Sequence, residues 1–167
     1  MHWYVAYTRV NQEFLIKKKL DELGIENFLP REEQVRDTPL GRKMIQVLLI
    51  HGMIFIHADK TTSFSLINEY SLNIVYLKDV EGRHSLIVPD KQMEDFMFLL
   101  DFSPDGIEVL NKDLKRGDQV RVIKGPLQGL TGELVRLRGH KRVVIRLDGV
   151  ASIATSYIPG SFLEKIE

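Results

Sequence analysis

The chain has 167 residues, 23 Lys and Arg against 23 Asp and Glu, and is 44% hydrophobic and 28% charged, enough apolar material for one packed domain or two small ones. It contains no cysteine, which excludes disulfides, a thiolate nucleophile and cysteine-ligated zinc and suits a reducing cytoplasm. The opening MHWYVAYTRV lacks the pattern of a secretory leader, and the longest apolar run, VLLIHGMIFI, is too short to cross a bilayer.

Taken in chain order, WYVAYT alternates as a strand, with Tyr4 and Ala6 on one face and Trp3, Val5 and Tyr7 on the other. A helix follows, with Asn11 as its N-cap, Gly24 as its C′ residue and Ile16, Leu20 and Leu23 as its apolar stripe. TPLG then joins two extended stretches, which predicts a β-hairpin. MIQVLLI and MIFIHA read as strands, and the Gly52 between them marks a bulge or a close backbone approach. A second helix is predicted with Thr61 or Thr62 as cap and Phe64, Ile67 and Tyr70 turned inward. NIVYLKD is a further strand, and VPDKQMEDFMFLL a third helix capped by Asp90, with Met93, Phe96, Met97 and Leu100 on its core side. This order predicts an α+β domain, an antiparallel sheet flanked by helices.

The zero net charge hides an asymmetry. Residues 1–105 carry 12 cations against 16 anions, a net of −4, and residues 106–167 carry 11 against 7, a net of +4. The sign changes within DFSPDGIEVLNKD, rich in turn formers, so the domains are predicted as 1–105 and 106–167 with a flexible linker at about 103–113. Beyond Leu114 no helical period appears. DQVRVI, TGELVRL, RVVIRL and ASIATSYI are short strand patterns separated by glycine-rich turns, the signature of a small all-β barrel. Gly125 and Pro126 would make one sharp corner, and Gly129 and Gly132 would take positive φ or let a strand bulge. Recurrent glycines and the run Val143, Val144, Ile145 disfavour helix throughout this half.

Catalysis has no support in the residues. There is no phosphate-binding Walker loop, no G-x-S-x-G and no H-E-x-x-H. His51 and His57 lie about 20 Å apart on a continuous strand, too far to share a metal. Neither a metal nor a cofactor is expected.

GDQVRVIKGPLQGLTGELV, Gly117 to Val135, resembles the KOW motif, with Gly125, Pro126, Gly129 and Gly132 at its turn. Together with WYVAYT, the capped helix, FLP at Phe28 to Pro30, the LLIHGMIFIHAD strand pair and the IVPDKQMEDFM helix, it is similar over nearly the whole chain to the NusG family. The short N-terminal half and its departures from the housekeeping pattern resemble the specialised RfaH and UpxY type of paralogue. The resemblance implies a NusG-type N-terminal domain followed by an SH3-like KOW barrel, a region that one RfaH-type factor folds as a helical hairpin. It implies a monomeric, non-enzymatic transcription elongation and antitermination factor of the cytoplasm. Such a factor binds RNA polymerase at the clamp helices of the largest subunit, and its KOW domain recruits Rho, ribosomal protein S-ten or another factor.

Carried over residue by residue, the family's Phe-Pro-Gly-Tyr strand entry falls on Ile50, His51, Gly52 and Met53. Met53 and Phe55, with Trp3, Tyr7 and Ile50, are then the apolar patch for the clamp helices. Thr61, Thr62 and Ser63 fall where RfaH-like factors touch the polymerase gate loop, with helix capping as the plain alternative. Arg9, Lys17 and Lys18 fall near positions used on non-template DNA. A second reading of the whole is an RNA-binding module of ribosomal-protein type using Lys124, Arg136, Arg138, Lys141 and Arg142, against which the acidic first half weighs.

Overall fold

A computed structural model describes residues 1–102, 107–110, 117–137 and 139–166. They form two compact units, Met1–Asp90 and Lys91–Glu167. In the first unit, β1 (His2–Tyr7) is the centre of a five-stranded sheet. It pairs antiparallel with β5 (Met53–Ala58) over its full length, from His2 opposite Ala58 to Tyr7 opposite Met53. β2 (Glu26–Phe28) lies outside β5, and both β6 (Val75–Tyr76) and β7 (Ile87–Val88) pair with the other edge of β1. One face of this sheet, Tyr4, Ala6, Ile54, Ile56 and Ala58, packs with Ile16 and Leu20 of α1 (Glu13–Glu22) and Leu66 of α2 (Lys60–Asn68).

The ends of α1 depart from expectation at one side only. Gly24 stands at C′ with φ +71°, as predicted. The N-cap is Gln12, with no side-chain cap bond, while Asn11 uses its tolerance of positive φ (72°) in the turn before it. Ile16 and Leu20 are buried, but Leu23 is exposed because it ends the helix. α2 begins earlier than its threonines suggested. Asp59 is the cap and accepts from the Thr62 backbone N–H at 2.7 Å. That start turns Ser63 and Leu66 inward and leaves Phe64 and Tyr70 exposed.

The TPLG turn does form a hairpin. β3 (Arg31–Thr38) and β4 (Gly41–Leu48) pair along all eight residues as a ribbon separate from the main sheet, with Val35, Leu40 and Met44 exposed and Leu48 against the core.

The second unit contains α3 (Asp90–Phe102), which starts at Asp90 and buries Met93, Phe96 and Leu99, with Met97 and Leu100 only half-buried. The sequence boundary after residue 105 would set α3 with the first unit. It groups with the second, where the Thr131 hydroxyl donates to Asp95 Oδ2 at 2.9 Å and Lys91 pairs with Asp95 Oδ1 at 2.8 Å. The rest of this unit, residues 107–165 as described, is strand, turn and one 3₁₀ turn at Gly160–Phe162, with no α-helix. β8 (Ile107–Leu110), β9 (Asp118–Val122), β10 (Thr131–Leu137), β11 (His140–Leu147), β12 (Ala151–Thr155) and β13 (Leu163–Lys165) form one antiparallel sheet in the order β13-β9-β10-β11-β12-β8. The path stays open, ending on β13 and β8. Of the expected linker, 107–110 is β8, paired with β12, while 103–106 and 111–113 lie outside the described residues.

The β9–β10 corner carries the glycines. Gly125 and Gly129 take φ of +87° and +94°, and Gly129 N–H donates to Val122 O at 2.8 Å, closing the turn over buried Leu127 and Leu130. Gly132 serves a different need: a Cβ there would lie 2.6 Å from Val144 O and 2.8 Å from Val143 Cγ1. Gly132→Ala must therefore displace backbone and is expected to cost about 2–3 kcal/mol, against about 1 kcal/mol of left-handed strain for Gly129→Ala, which has open space around it. Thermal unfolding of the two variants checks this; equal drops in Tm would mean that the motif glycines supply backbone freedom alone.

Candidate functional site

The turn between β4 and β5 is where the sequence concentrates its candidates, and it is tied down from two sides. Thr8 N–H donates to Gly52 O at 2.9 Å, and Gly52 N–H donates to Glu13 Oε2 at 3.2 Å. Gly52 has φ +72°, and a Cβ there would sit 3.1 Å from Thr8 O, so the expected close backbone approach is present. Glu13 is the first residue of α1 and is 1% exposed; its Oε1 has no hydrogen-bond partner among the described residues. His51 Nδ1 stands 4.0 Å from Glu13 Oε2, with its ring largely in solvent. Gly52 thus joins the end of β1, through its carbonyl, to the buried Glu13 at the start of α1, through its N–H.

Beyond the turn, Met53, Tyr7 and Val75 form a row across β5, β1 and β6, directly opposite one another and so on one face. Tyr7 is 40% and Val75 67% exposed, an apolar lip on the rim of the sheet. Met53 and Phe55, at 4% and 0% exposure, are buried, as is Trp3. The expectation that Met53 and Phe55 present an open apolar patch is corrected here. The face bearing Trp3, Val5, Met53 and Phe55 is as apolar as its opposite, and both faces of β1 and β5 are covered. Trp3 stacks on His57 with centroids 4.6 Å apart, and His57 Nδ1 lies 2.8 Å from Glu26 Oε2. Ile50 is half-buried beside the turn.

Val75 escaped the sequence reading although the signal was there: in NIVYLKD it alternates outward between buried Ile74 and Tyr76. Glu13 gave no signal, since an acidic residue in a first helical turn ordinarily complements the helix dipole from the surface.

The remaining candidates are dispersed. Thr61 is exposed and Thr62 half-buried, while Ser63 is buried, its hydroxyl donating to Lys60 O at 2.6 Å. Tyr76 OH donates to Ser63 O at 2.8 Å, and burial, with Tyr4 adding to it, pushes its phenol pKa upward. Arg9 and Lys18 are exposed without an acidic partner among the described residues. Lys17 is engaged, 3.3 Å from Asp21 Oδ2 and 3.1 Å from Asn27 Oδ1. The Asn27 amide, with Lys17 adding to it, holds the Asp21 carboxyl below its ordinary range.

Among the described residues of the second unit most cations are paired. Arg121 meets Glu164 at 2.9 Å, Arg142 meets Glu108 at 2.8 Å and Lys165 meets Asp118 at 3.7 Å. Arg146 Nε donates to the buried Glu133 Oε2 at 2.8 Å, and Gly117 N–H reaches Glu133 Oε1 at 3.2 Å. Lys124, Arg136 and Lys141 are exposed, and Arg138 lies outside the described residues. No group of three or more His, Asp or Glu among the described residues could hold a metal ion, and no described helix is long and apolar enough to cross a membrane.

A family profile described as "Transcription termination factor nusG" matches residues 1–97. No curated protein matches the chain. Among solved structures, one titled "Domain interaction in Thermotoga maritima NusG" is similar with a TM-score of 0.47 and 19% identity, covering 99% of this chain and 97% of that one. The MjSpt4:Spt5 complex in conformation A is similar with a TM-score of 0.30 and 12% identity, covering 99% and 98%. In conformation B the TM-score is 0.30 and the identity 13%, with 99% and 97% covered.

Glu13→Ala is expected to lower stability by about 1–3 kcal/mol, because the buried Gly52 N–H loses its acceptor, whereas Glu13→Gln keeps an acceptor oxygen and should lose less. Urea titration of both variants checks the difference. A second expectation concerns pH. The Thr62 backbone N–H, foremost, depresses the Asp59 pKa, so this cap stabilises α2 fully above the unfolded carboxylate value and fades as pH falls through the lower folded one. The Tm gap between the native chain and Asp59→Ala should therefore be widest at neutral pH and shrink below pH about 4.

Proposed function

Because a match over residues 1–97, more than half of its length, makes this chain a member of the NusG family, we propose that it is a transcription elongation factor that binds RNA polymerase and promotes antitermination and processivity at specific operons. The observation that carries the reading is the exposed Tyr7–Val75 lip beside a Gly52 turn held rigid by Glu13 and Thr8. A rigid apolar rim suits a helical partner, and in this proposal it meets the clamp helices of the largest subunit, with Ile50 at its side and Met53, Phe55 and Trp3 as the packed floor that fixes its shape.

The factor acts without catalysis: by binding one conformation of the transcribing polymerase better than another it shifts their populations. Thr61 and Thr62 face the gate loop, and the unpaired Arg9 and Lys18, with Lys17 behind them, run along the non-template strand. The second unit works as a KOW domain, its six-stranded sheet recruiting Rho, ribosomal protein S-ten or another factor. The protein acts in the cytoplasm as a monomer.

Tyr7→Glu and Val75→Glu are each expected to weaken binding to purified core RNA polymerase by at least about tenfold while leaving Tm unchanged, since a charge at a desolvated anchor costs more than one factor of ten. Met53→Glu instead places a charge in the interior and should unfold the first unit. Binding assays and melting curves on the three variants separate the two roles; native-like affinity in both rim variants would overturn the assignment of this surface.

A further inference from the structure

We propose that two copies of the free chain pair through the outer edges of their β3 strands, joining the two ribbons into one four-stranded antiparallel sheet with Gln34 on the twofold axis. The ribbon leaves that edge open. Leu49 N–H donates to Pro30 O at 3.0 Å, and ladder bonds alternate from there. Glu32, Gln34, Arg36 and Thr38 therefore bond to β4, while Arg31, Glu33, Val35 and Asp37 turn their N–H and C=O groups outward. Among the described residues no other strand pairs with β3, and no further backbone bond reaches residues 31–38. Eight residues of unpaired edge are a template for another strand.

The charges on the edge select the occupant. Among the described residues the ribbon's one ion pair joins Asp37 to Arg42 at 3.3 Å, in open solvent. Arg36 faces Lys43 directly, a like-charge pair that destabilises the ribbon as it stands. Two antiparallel copies of β3 must meet outward group to outward group, so one residue has to face its own copy across the axis. Glu32, Glu33 or Arg36 in that place would set a charge against itself, and Val35 there would set Glu33 against Asp37. Gln34 on the axis instead sets Arg31 against Asp37 and Glu32 against Arg36, each twice, and no like charges meet. The Glu32 of the other copy then reaches the Arg36–Lys43 pair. The exposed Val35 and Met44, themselves cross-strand partners, fall in adjacent rows of one face in the two copies. β4 offers no such match, because Arg42 and Lys43 are its only charges. The pairing uses no residue of the proposed polymerase surface, on which a single copy acts.

The test uses the full chain, which has no cysteine of its own. Residues that face each other without a mutual ladder bond lie about 4.5 Å apart at Cα, within disulfide reach, so Gln34→Cys should oxidise to a covalent dimer. Thr38→Cys, four residues from the axis, would hold its two copies about 27 Å apart and should not. Sedimentation velocity of the native chain should show a monomer–dimer equilibrium setting in near about 100 µM, since so small an interface is of the weak class. Arg36→Glu should weaken the dimer about tenfold, because two attractive pairs become repulsive, and adding Glu32→Arg should restore it. Val35→Pro should abolish the dimer and keep the ribbon, because the Val35 N–H points away from β4. Circular dichroism and melting curves verify that each variant is folded. A native chain that stays monomeric up to about 1 mM, assembly beyond the dimer, cross-linking no faster at 34 than at 38, or failure of the charge swap to restore association would overturn the proposal. No polymerase is present in these assays, so either result leaves the Tyr7–Val75 surface to its own test.

Discussion

Strand β1 is the constraint on which the first unit depends. It is hydrogen-bonded to β5 along one edge and to β6 and β7 along the other, and its four central residues, Trp3 to Ala6, are buried. A strand enclosed on both edges and both faces cannot slip by one residue without exchanging every side chain between two apolar layers. Its C-terminal end is where the enclosure stops. Tyr7 emerges there, the backbone of Thr8 binds Gly52, and the chain turns into α1 through Glu13. The candidate surface is therefore the exposed end of a strand paired on both edges and buried along its middle, so a partner binding there need not order it first.

Much of this architecture was legible because its local signals are geometric. TPLG between two alternating stretches has few solutions other than a hairpin, Gly24 fits the left-handed position after a helix, and glycine-punctuated β-branched runs leave little room for helix in residues 117–165. What periodicity could not resolve was which apolar face is covered. Alternation sets Met53 and Phe55 together on one side of β5, but only the packing shows that this side is interior and that the row surfaces at Tyr7 and Val75. The start of α2 was missed for a similar reason. Asp59, Thr61 and Thr62 are all good caps, and the choice among them fell to Asp59, whose carboxylate meets the Thr62 N–H and turns Leu66 rather than Phe64 toward the sheet. β8 was read as linker because its four residues gain their order from pairing with β12, about forty residues later in the chain.

The second unit is organised by charge as much as by apolar contact. The buried Glu133 pairs with the half-buried Arg146, and its remaining oxygen holds the Gly117 backbone at the entry to β9. Removing Arg146 is the costly change, since it leaves the buried Glu133 as an uncompensated charge. The exposed pairs, Arg121 with Glu164 and Lys165 with Asp118, contribute little to stability.

The β3–β4 ribbon has a consequence for how this protein can vary. Its two strands pair with each other and not with the main sheet, the Leu49 N–H bond to Pro30 O adds a rung at its base, Leu48 packs it on the main body, and its tip at Pro39 and Leu40 stands in solvent. Residues gained or lost in matched pairs at that tip would lengthen or shorten the arm while every cross-strand partner below kept its mate. A change in one strand alone would invert the facing of half the arm. The ribbon is thus an adjustable ruler: its reach can drift between descendants in steps of one rung, at no cost to the sheet that carries it.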